Sequence, residues 1–220
     1  SLGGTLVAEL VIMLMWSCGL HGANIVGGIM APIWYGAMDE NRIAFANHEV
    51  LPNIFTQQFF DIWINIGGSG ATLALVVAMI LKARSQQMKQ LGKLGIGPAL
   101  FNINEPIIFG LPMVMNPMML IPFIITPLVT VVATYIAMST GLVAKPAGIA
   151  VPWTMPPIIS GYLATGGKLS GAVMQAINIG ISVCIYYPFF RMWDKQKFTE
   201  EHGIQPAVEG VPSDTQKDIV

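Results

Sequence analysis

The sequence predicts an all-α polytopic membrane protein with about four transmembrane helices and two re-entrant hairpins. Three observations carry that expectation. Only 10% of the 220 residues are charged and 54% are hydrophobic, with a mean hydropathy of +0.63, whereas soluble domains are roughly 25% charged. Three stretches carry no charge at all: Ile62 to Leu81, Met113 to Met138 and Leu169 to Phe190, of 20, 26 and 22 residues. Each meets the roughly 20 residues a helix needs to cross the hydrocarbon core. Finally, two further apolar stretches are so interrupted by proline and glycine that neither forms a straight helix.

The elements follow in order. Leu2 to Trp34 is apolar apart from Glu9 and His21; Gly19, Gly22, Gly27, Gly28 and Pro32 interrupt it, so a helix to about Gly19 followed by a broken segment is expected. Ala37 to Gln58 holds Asp39, Glu40, Arg42, His48 and Glu49, and its acidic balance suits the outer face. Ile62 to Leu81 reads as one clean span, ended by Lys82, Arg84, Lys89 and Lys93. Leu94 to Leu111, with Gly95, Gly97, Pro98, Pro106 and Gly110, is the first expected hairpin. Met113 to Met138 crosses; the prolines at 112, 117, 122 and 127 predict kinks or a non-helical start, since a five-residue spacing does not stay on one helix face. Ala147 to Gly167, with Pro152, Pro156, Pro157 and a Gly-Gly pair, is the second hairpin. Leu169 to Phe190 crosses again and is stopped by Arg191, Lys195 and Lys197.

Seven of the 11 basic residues lie just after Leu81 and Phe190, and the positive-inside tendency puts both groups on the cytoplasmic face. The chain between them then crosses an odd number of times, so the two interrupted stretches enter and return. Residues 1–193 are expected to form one transmembrane substrate-binding domain, and 194–220 a flexible cytoplasmic tail. Bare backbone is tolerated at membrane depth only where it is buried in protein or lines a wet cavity, so two such breaks point to a binding or transport site.

The 11 basic and 12 acidic residues nearly cancel, which leaves no basic surface for nucleic acid. No GxxxxGK[ST] phosphate loop is present, so the chain is not the motor of a primary pump. Cys18 and Cys184 sit in apolar runs and read as buried packing residues. Nothing near Ser1 reads as a signal peptide, and the chain is compatible with a fragment of a longer protein. No HxxxH or acidic cluster accompanies His21, His48 or His202, so neither a metal site nor a resident cofactor is expected.

Glu105 is the only acidic residue between Asp61 and Asp194, and it lies within the first hairpin. An ionisable group at that depth costs several kcal/mol unless paired or hydrated and is a functional candidate by default; the plainer reading is a structural carboxylate bonded to hairpin amides. Asn104 can donate and accept together, as sugar hydroxyls require, or tie down the turn. His21 stands at the break of the first helix. Trp16 and Trp153 offer indole faces that pack on a sugar ring, against the alternative of the interfacial aromatic belt, which accounts well for Trp34, Trp63 and Trp193. The 14 methionines are packing residues.

The stretches Asn104-Glu-Pro-Ile-Ile-Phe-Gly110, Pro112, Asn116-Pro117, Pro152-Trp-Thr-Met-Pro-Pro-Ile-Ile-Ser-Gly161 and Ala164-Thr-Gly-Gly167 together resemble enzyme IIC, the membrane permease of the bacterial phosphoenolpyruvate-dependent sugar phosphotransferase system, in its lactose, cellobiose and N,N'-diacetylchitobiose branch. The resemblance covers most of Leu10 to Arg191 and corresponds to the C-terminal half of such proteins. It implies a bacterial cell-membrane protein with a cytoplasmic C-terminus, embedded in the lipid bilayer and dimerising through an N-terminal half. It also implies a β-linked disaccharide substrate and a phosphorylated IIB partner, charged in turn by IIA, HPr and enzyme I. Glu105 and His21 would lie near the hydroxyl to be phosphorylated, with Trp16, Asn104 and Trp153 lining the sugar; which of Glu105 and His21 acts as base stays open at this level. Broken helices with a midplane carboxylate equally mark ion-coupled secondary transporters, so a sugar symporter is the alternative, and a non-transporting scaffold a third reading.

Overall fold

The computed structural model describes residues 1–203, and among them every regular element is helical. The order is α1 (Leu2–Ser17), α2 (Gly22–Ala46), a π-helical turn (Phe59–Ile64), α3 (Leu73–Lys82), α4 (Gln86–Leu100), α5 (Glu105–Gly110), a 3-10 turn (Met113–Met115), α6 (Pro117–Ser139), α7 (Ile159–Ala164) and α8 (Leu169–Glu201). Helices α6 and α8 are long and apolar enough to cross a membrane and pack on each other. Helix α8 also packs on α3, and α1 on α6 and α2.

The first apolar run divides as the glycines suggest, but the second half is not broken. Gly19, at φ +79°, ends α1, and α2 then runs without interruption through Pro32 to Ala46. Residues 37–46, the first part of the acidic stretch, are therefore helical. Asp39 and Arg42 pair one turn apart at 2.6 Å. Asn41 is fully buried, and its amide donates to the carbonyls of Asn53 and Pro146, each at 2.7 Å. Asn41 thus turns inward from α2, while Asp39 and Arg42 stay exposed.

Ile62 to Leu81 departs most from expectation. It is not one helix but a π-helical turn, an unwound stretch from Asn65 to Thr72, and α3. Gly70 sits at φ +80°, and a Cβ there would lie 2.3 Å from the Phe123 ring. Phe123 of α6 thus packs directly on the unwound backbone at Gly70. Several of the freed carbonyls are taken up by side chains. Gln175 donates to Ile62 O (2.7 Å), Asn178 to Trp63 O (2.8 Å), Thr72 to Gly67 O (2.7 Å), and Tyr186 to Gly70 O (2.7 Å). Apolar length, which dominates the sequence signal, is blind to this break. Trp63 is likewise no belt residue: it is wholly buried and its indole N–H donates to Gly171 O at 3.0 Å.

Both interrupted stretches fold back on themselves. In the first, α4 starts at the Ser85 cap, earlier than expected, and turns through residues 101–104 into α5. In the second, residues 144–158 are non-helical and α7 returns alongside, with Ala147 N–H donating to Ala164 O at 2.7 Å. Pro122 and Pro127 are accommodated inside α6, and Pro117 occupies its first turn, where a missing N–H leaves nothing unpaired.

Two smaller expectations are corrected. Cys18 and Cys184 are exposed; α8 turns Gln175, Asn178, Ser182, Tyr186, Phe190 and Asp194 inward, and Cys184 lies off that face. The tail does not begin at residue 194, because α8 continues to Glu201. The buried Asp194 carboxylate accepts from Arg84 N–H (2.9 Å), Ser85 N–H (3.0 Å) and Ser85 Oγ–H (2.9 Å), and Glu201 accepts from Gln86 and Gln87 N–H at 2.8 and 2.9 Å. These two carboxylates satisfy the orphan donors at the start of α4, which anchors α8 well past its apolar part. The backbone N–H groups of Gln87 and Gln86 hold the Glu201 carboxyl below the ordinary range. Its contribution is therefore complete above the usual glutamate value of about 4.3 and is lost as pH falls through the lowered one. Residues 204–220 of the expected tail lie outside the described residues.

Removing the Asp194 carboxylate leaves buried donors unpaired. Asp194→Ala is expected to cost about 2–3 kcal/mol, read as a lower thermal midpoint in detergent and faster tryptic cleavage at Arg84. Unchanged midpoint and cleavage would show that other contacts seat the end of α8.

Candidate functional site

The unwound stretch from Asn65 to Thr72 and the two folded-back segments meet at a cavity of about 440 Å³, within the roughly 300–1,000 Å³ typical of small-molecule sites. Trp16, His21, Asn104, Glu105 and Trp153 all line it, although they come from four separate parts of the chain.

Trp16 lies in the last turn of α1. It is buried, and its indole N–H has no hydrogen-bond partner among the described residues. His21 caps α2 by accepting Asn24 N–H at Nδ1 (3.2 Å), and its ring centroid is 4.4 Å from that of Trp16, tilted by 48°. An Nδ1 that accepts carries no proton, so the ring N–H is Nε2, left free to donate.

Asn104 stands immediately before α5 and is 4% exposed. Its amide donates to Ser69 O at 2.7 Å, supplying a further donor to the unwound stretch. The contact demands a glycine at 68, at φ +94°, where a Cβ would come within 2.5 Å of Asn104 Cγ. Asn104 therefore does tie down a turn, but one belonging to another segment.

Glu105 is the first residue of α5, and its carboxylate makes no hydrogen bond to protein among the described residues. It is not the structural carboxylate bonded to hairpin amides. Pro106 follows and has no N–H to offer, while Ile107 and Ile108 N–H both donate to Asn104 O. A partly exposed carboxylate without a protein partner, on a cavity wall, is available to a ligand hydroxyl.

Trp153 sits in the non-helical part of the second hairpin and is 55% exposed. Its carbonyl accepts from the Asn102 side-chain amide at 2.6 Å.

The cavity contains groups that sequence reasoning did not single out. Trp34, assigned to the belt from sequence, is buried instead; it lines the cavity and packs on Phe60 with centroids 4.2 Å apart. Asp61 lines it too, its carboxylate accepting from Gln57 at 2.9 and 3.1 Å. The available signal was the Gln57/Asp61 spacing, which places both on one helix face, but it sat at the edge of a stretch read as plain span. Asn65, Ser69 and Asn102 also contribute; only the glycines between Asn65 and Ala71 hinted at exposed backbone there. Among the described residues no three His, Cys, Asp or Glu side chains group around a metal-sized space. The arrangement is one of aromatic faces interleaved with hydrogen-bonding groups and two carboxylates, suited to a polyhydroxylated ligand with apolar C–H faces.

Residues 1–127 match the family model described as phosphotransferase system, EIIC. The chain is 80% identical over 205 residues to the lichenan permease IIC component of Bacillus subtilis (strain 168), covering 93% of this chain and 45% of that protein. It is 62% identical over 205 residues to the cellobiose-specific EIIC component of the PTS of Geobacillus stearothermophilus, covering 92% and 46%. Among solved structures, the crystal structure of the transporter ChbC, the IIC component from the N,N'-diacetylchitobiose-specific phosphotransferase system, matches with a TM-score of 0.91 at 56% identity, over 92% of this chain and 47% of that one. The chain thus spans about half the length of the relatives it matches. With a family match over more than half of its residues, and this degree of shared structure, the chain belongs to the EIIC family of the phosphotransferase system.

Proposed function

We propose that this chain forms the substrate-binding part of a sugar permease that phosphorylates a β-linked disaccharide, of cellobiose or diacetylchitobiose type, as it brings it across the bacterial cell membrane. The observation that supports this most is the meeting of Trp16, His21, Asn104, Glu105 and Trp153 at one cavity. The cellobiose- and diacetylchitobiose-specific names of similar proteins support the substrate class.

In this reading Glu105 and His21 divide the roles. Glu105, whose carboxylate has no protein partner among the described residues, holds the reacting hydroxyl and takes its proton as general base. His21, with Nδ1 occupied by Asn24 N–H, donates from Nε2 and stabilises charge on the incoming phosphoryl group. The phosphoryl group comes from the phosphocysteine of a cytoplasmic IIB protein: the S–P bond breaks, a bond from the sugar oxygen to phosphorus forms, and the cysteine leaves as thiolate. IIA, HPr and enzyme I recharge IIB. Trp16 and Trp153 pack on the sugar rings and Asn104 bonds a hydroxyl.

In this reading the chain crosses the bilayer about four times, dips in twice at the folded-back segments and ends in the cytoplasm. It works as part of a polypeptide about twice its length, as a homodimer.

The deciding experiment supplies labelled cellobiose or diacetylchitobiose to vesicles containing the complete parent chain, with phosphoenolpyruvate and the soluble carriers. Sugar phosphate inside is expected, and none from Glu105→Gln; unmodified sugar driven by an ion gradient would establish a symporter instead, and a full-rate Glu105→Gln would take the carboxylate out of the chemistry. Trp153→Ala is expected to weaken sugar binding by about 1–3 kcal/mol, the worth of a good stacking surface; unchanged affinity would remove Trp153 from the sugar site. Single cysteines at Gln86 and Gln196 should react with impermeant reagents only from the cytoplasmic side, and labelling of either from outside would reverse the topology.

A further inference from the structure

The side chain of Asn102 joins three segments that are distant in sequence. Its Oδ1 accepts Gly67 N–H at 2.7 Å, which holds the unwound stretch. Its Nδ2 donates to Trp153 O at 2.6 Å and Met155 O at 3.3 Å, in the second hairpin. It stands itself at the tip of the first hairpin, two residues before Asn104 and three before Glu105. Among the described residues, Asn102 is the only side chain that hydrogen-bonds any of residues 150–157; their other hydrogen bonds are the local ones of Met155 N–H to Pro152 O and of Ser160 N–H to Pro156 O. The loop is pinned elsewhere only beyond this segment, where Gln58 donates to Ile149 O and Gln175 accepts Ile158 N–H. Asn102 has φ +61°, a left-handed conformation that asparagine tolerates better than other non-glycine residues. Its short amide offers both an acceptor and two donors.

We propose that Asn102 is a positioning residue that locks the Trp153 loop to the hairpin tip carrying Glu105, so that the sugar-stacking surface and the carboxylate keep a fixed separation. This rests on the sugar-site reading above. A ring held on Trp153 then presents its hydroxyl to Glu105 at a set distance, and effects of about 10²-fold from misplacements near 1 Å are the general experience.

The two ends of the amide are separable. Asn102→Asp keeps an acceptor for Gly67 N–H and tolerates the backbone conformation, but it turns a carboxylate oxygen toward the carbonyls of Trp153 and Met155. Asn102→Gly keeps the conformation and removes both links. In the complete parent chain, Asn102→Asp is expected to raise the sugar KM and the sugar Kd in detergent roughly tenfold, by displacing a stacking surface of the usual worth, with a smaller loss in kcat. Asn102→Gly should lose on both KM and kcat, since it also releases Gly67. The decisive readout is a double-mutant cycle: Trp153→Ala, costly in the native background, should add less than about twofold to the Kd of Asn102→Asp, as coupled residues do. Additive effects, or a native Kd in Asn102→Asp, would overturn the proposal. If Asn102→Asp does not yield folded protein, the same cycle with Asn102→Gly carries the same two outcomes. Failure of the phosphotransfer reading is distinguishable, because it would appear as unmodified sugar delivered by the native chain, while the cycle is read from binding alone.

Discussion

In an apolar helical bundle every backbone carbonyl without a helical partner must find a donor, since no bulk water is there to supply one. The unwound stretch from Asn65 to Thr72 sets that requirement for the whole molecule. Its carbonyls, and those of the turn before it, draw in Gln175, Asn178 and Tyr186 from α8, Asn104 from the first hairpin, and Thr72 locally. Gln175, Asn178 and Tyr186 on the inward face of α8 are thus the counterpart of the break, and α8 packs on both α3 and α6.

The cavity is a consequence of the same constraint. Where the helix opens, backbone and side-chain polar groups stand inside the bundle, and residues of the two folded-back segments line the same cavity. Asn104 and Asn102 each bond the unwound backbone, at Ser69 O and Gly67 N–H. The hairpin tip therefore cannot shift without breaking the bonds that make the unwinding tolerable. Glu105 gains its position from this, being adjacent to a fastened residue while its own carboxylate has no protein partner among the described residues. The capping bond from Asn24 N–H similarly orients His21.

Much of this was legible in the chain. Low charge and uncharged runs identified a membrane protein, and proline and glycine marked the two segments that fold back. A carboxylate, an asparagine, a histidine and two tryptophans stood out because such groups are unusual in apolar surroundings, and all five line the one cavity. Other features were illegible for definite reasons. The break within Ile62 to Leu81 escaped because hydropathy counts glycine as harmless, and only Phe123 across the interface makes Gly70 necessary. Trp34 and Trp63 looked like belt residues because burial is not encoded in residue type. Asp194 looked like the start of a tail because the donors it satisfies, at Arg84 and Ser85, lie 110 and 109 residues earlier.

What the sequence determined by itself was therefore solvent preference and local interruption, since transfer energies and the missing N–H of proline belong to single residues and their neighbours. What only the tertiary structure decided was which interruptions meet and which polar groups satisfy them. A hydrogen bond such as Asn102 to Trp153 or Asn178 to Trp63 spans 51 or 115 positions, and its existence depends on how helices pack rather than on any pattern along the chain.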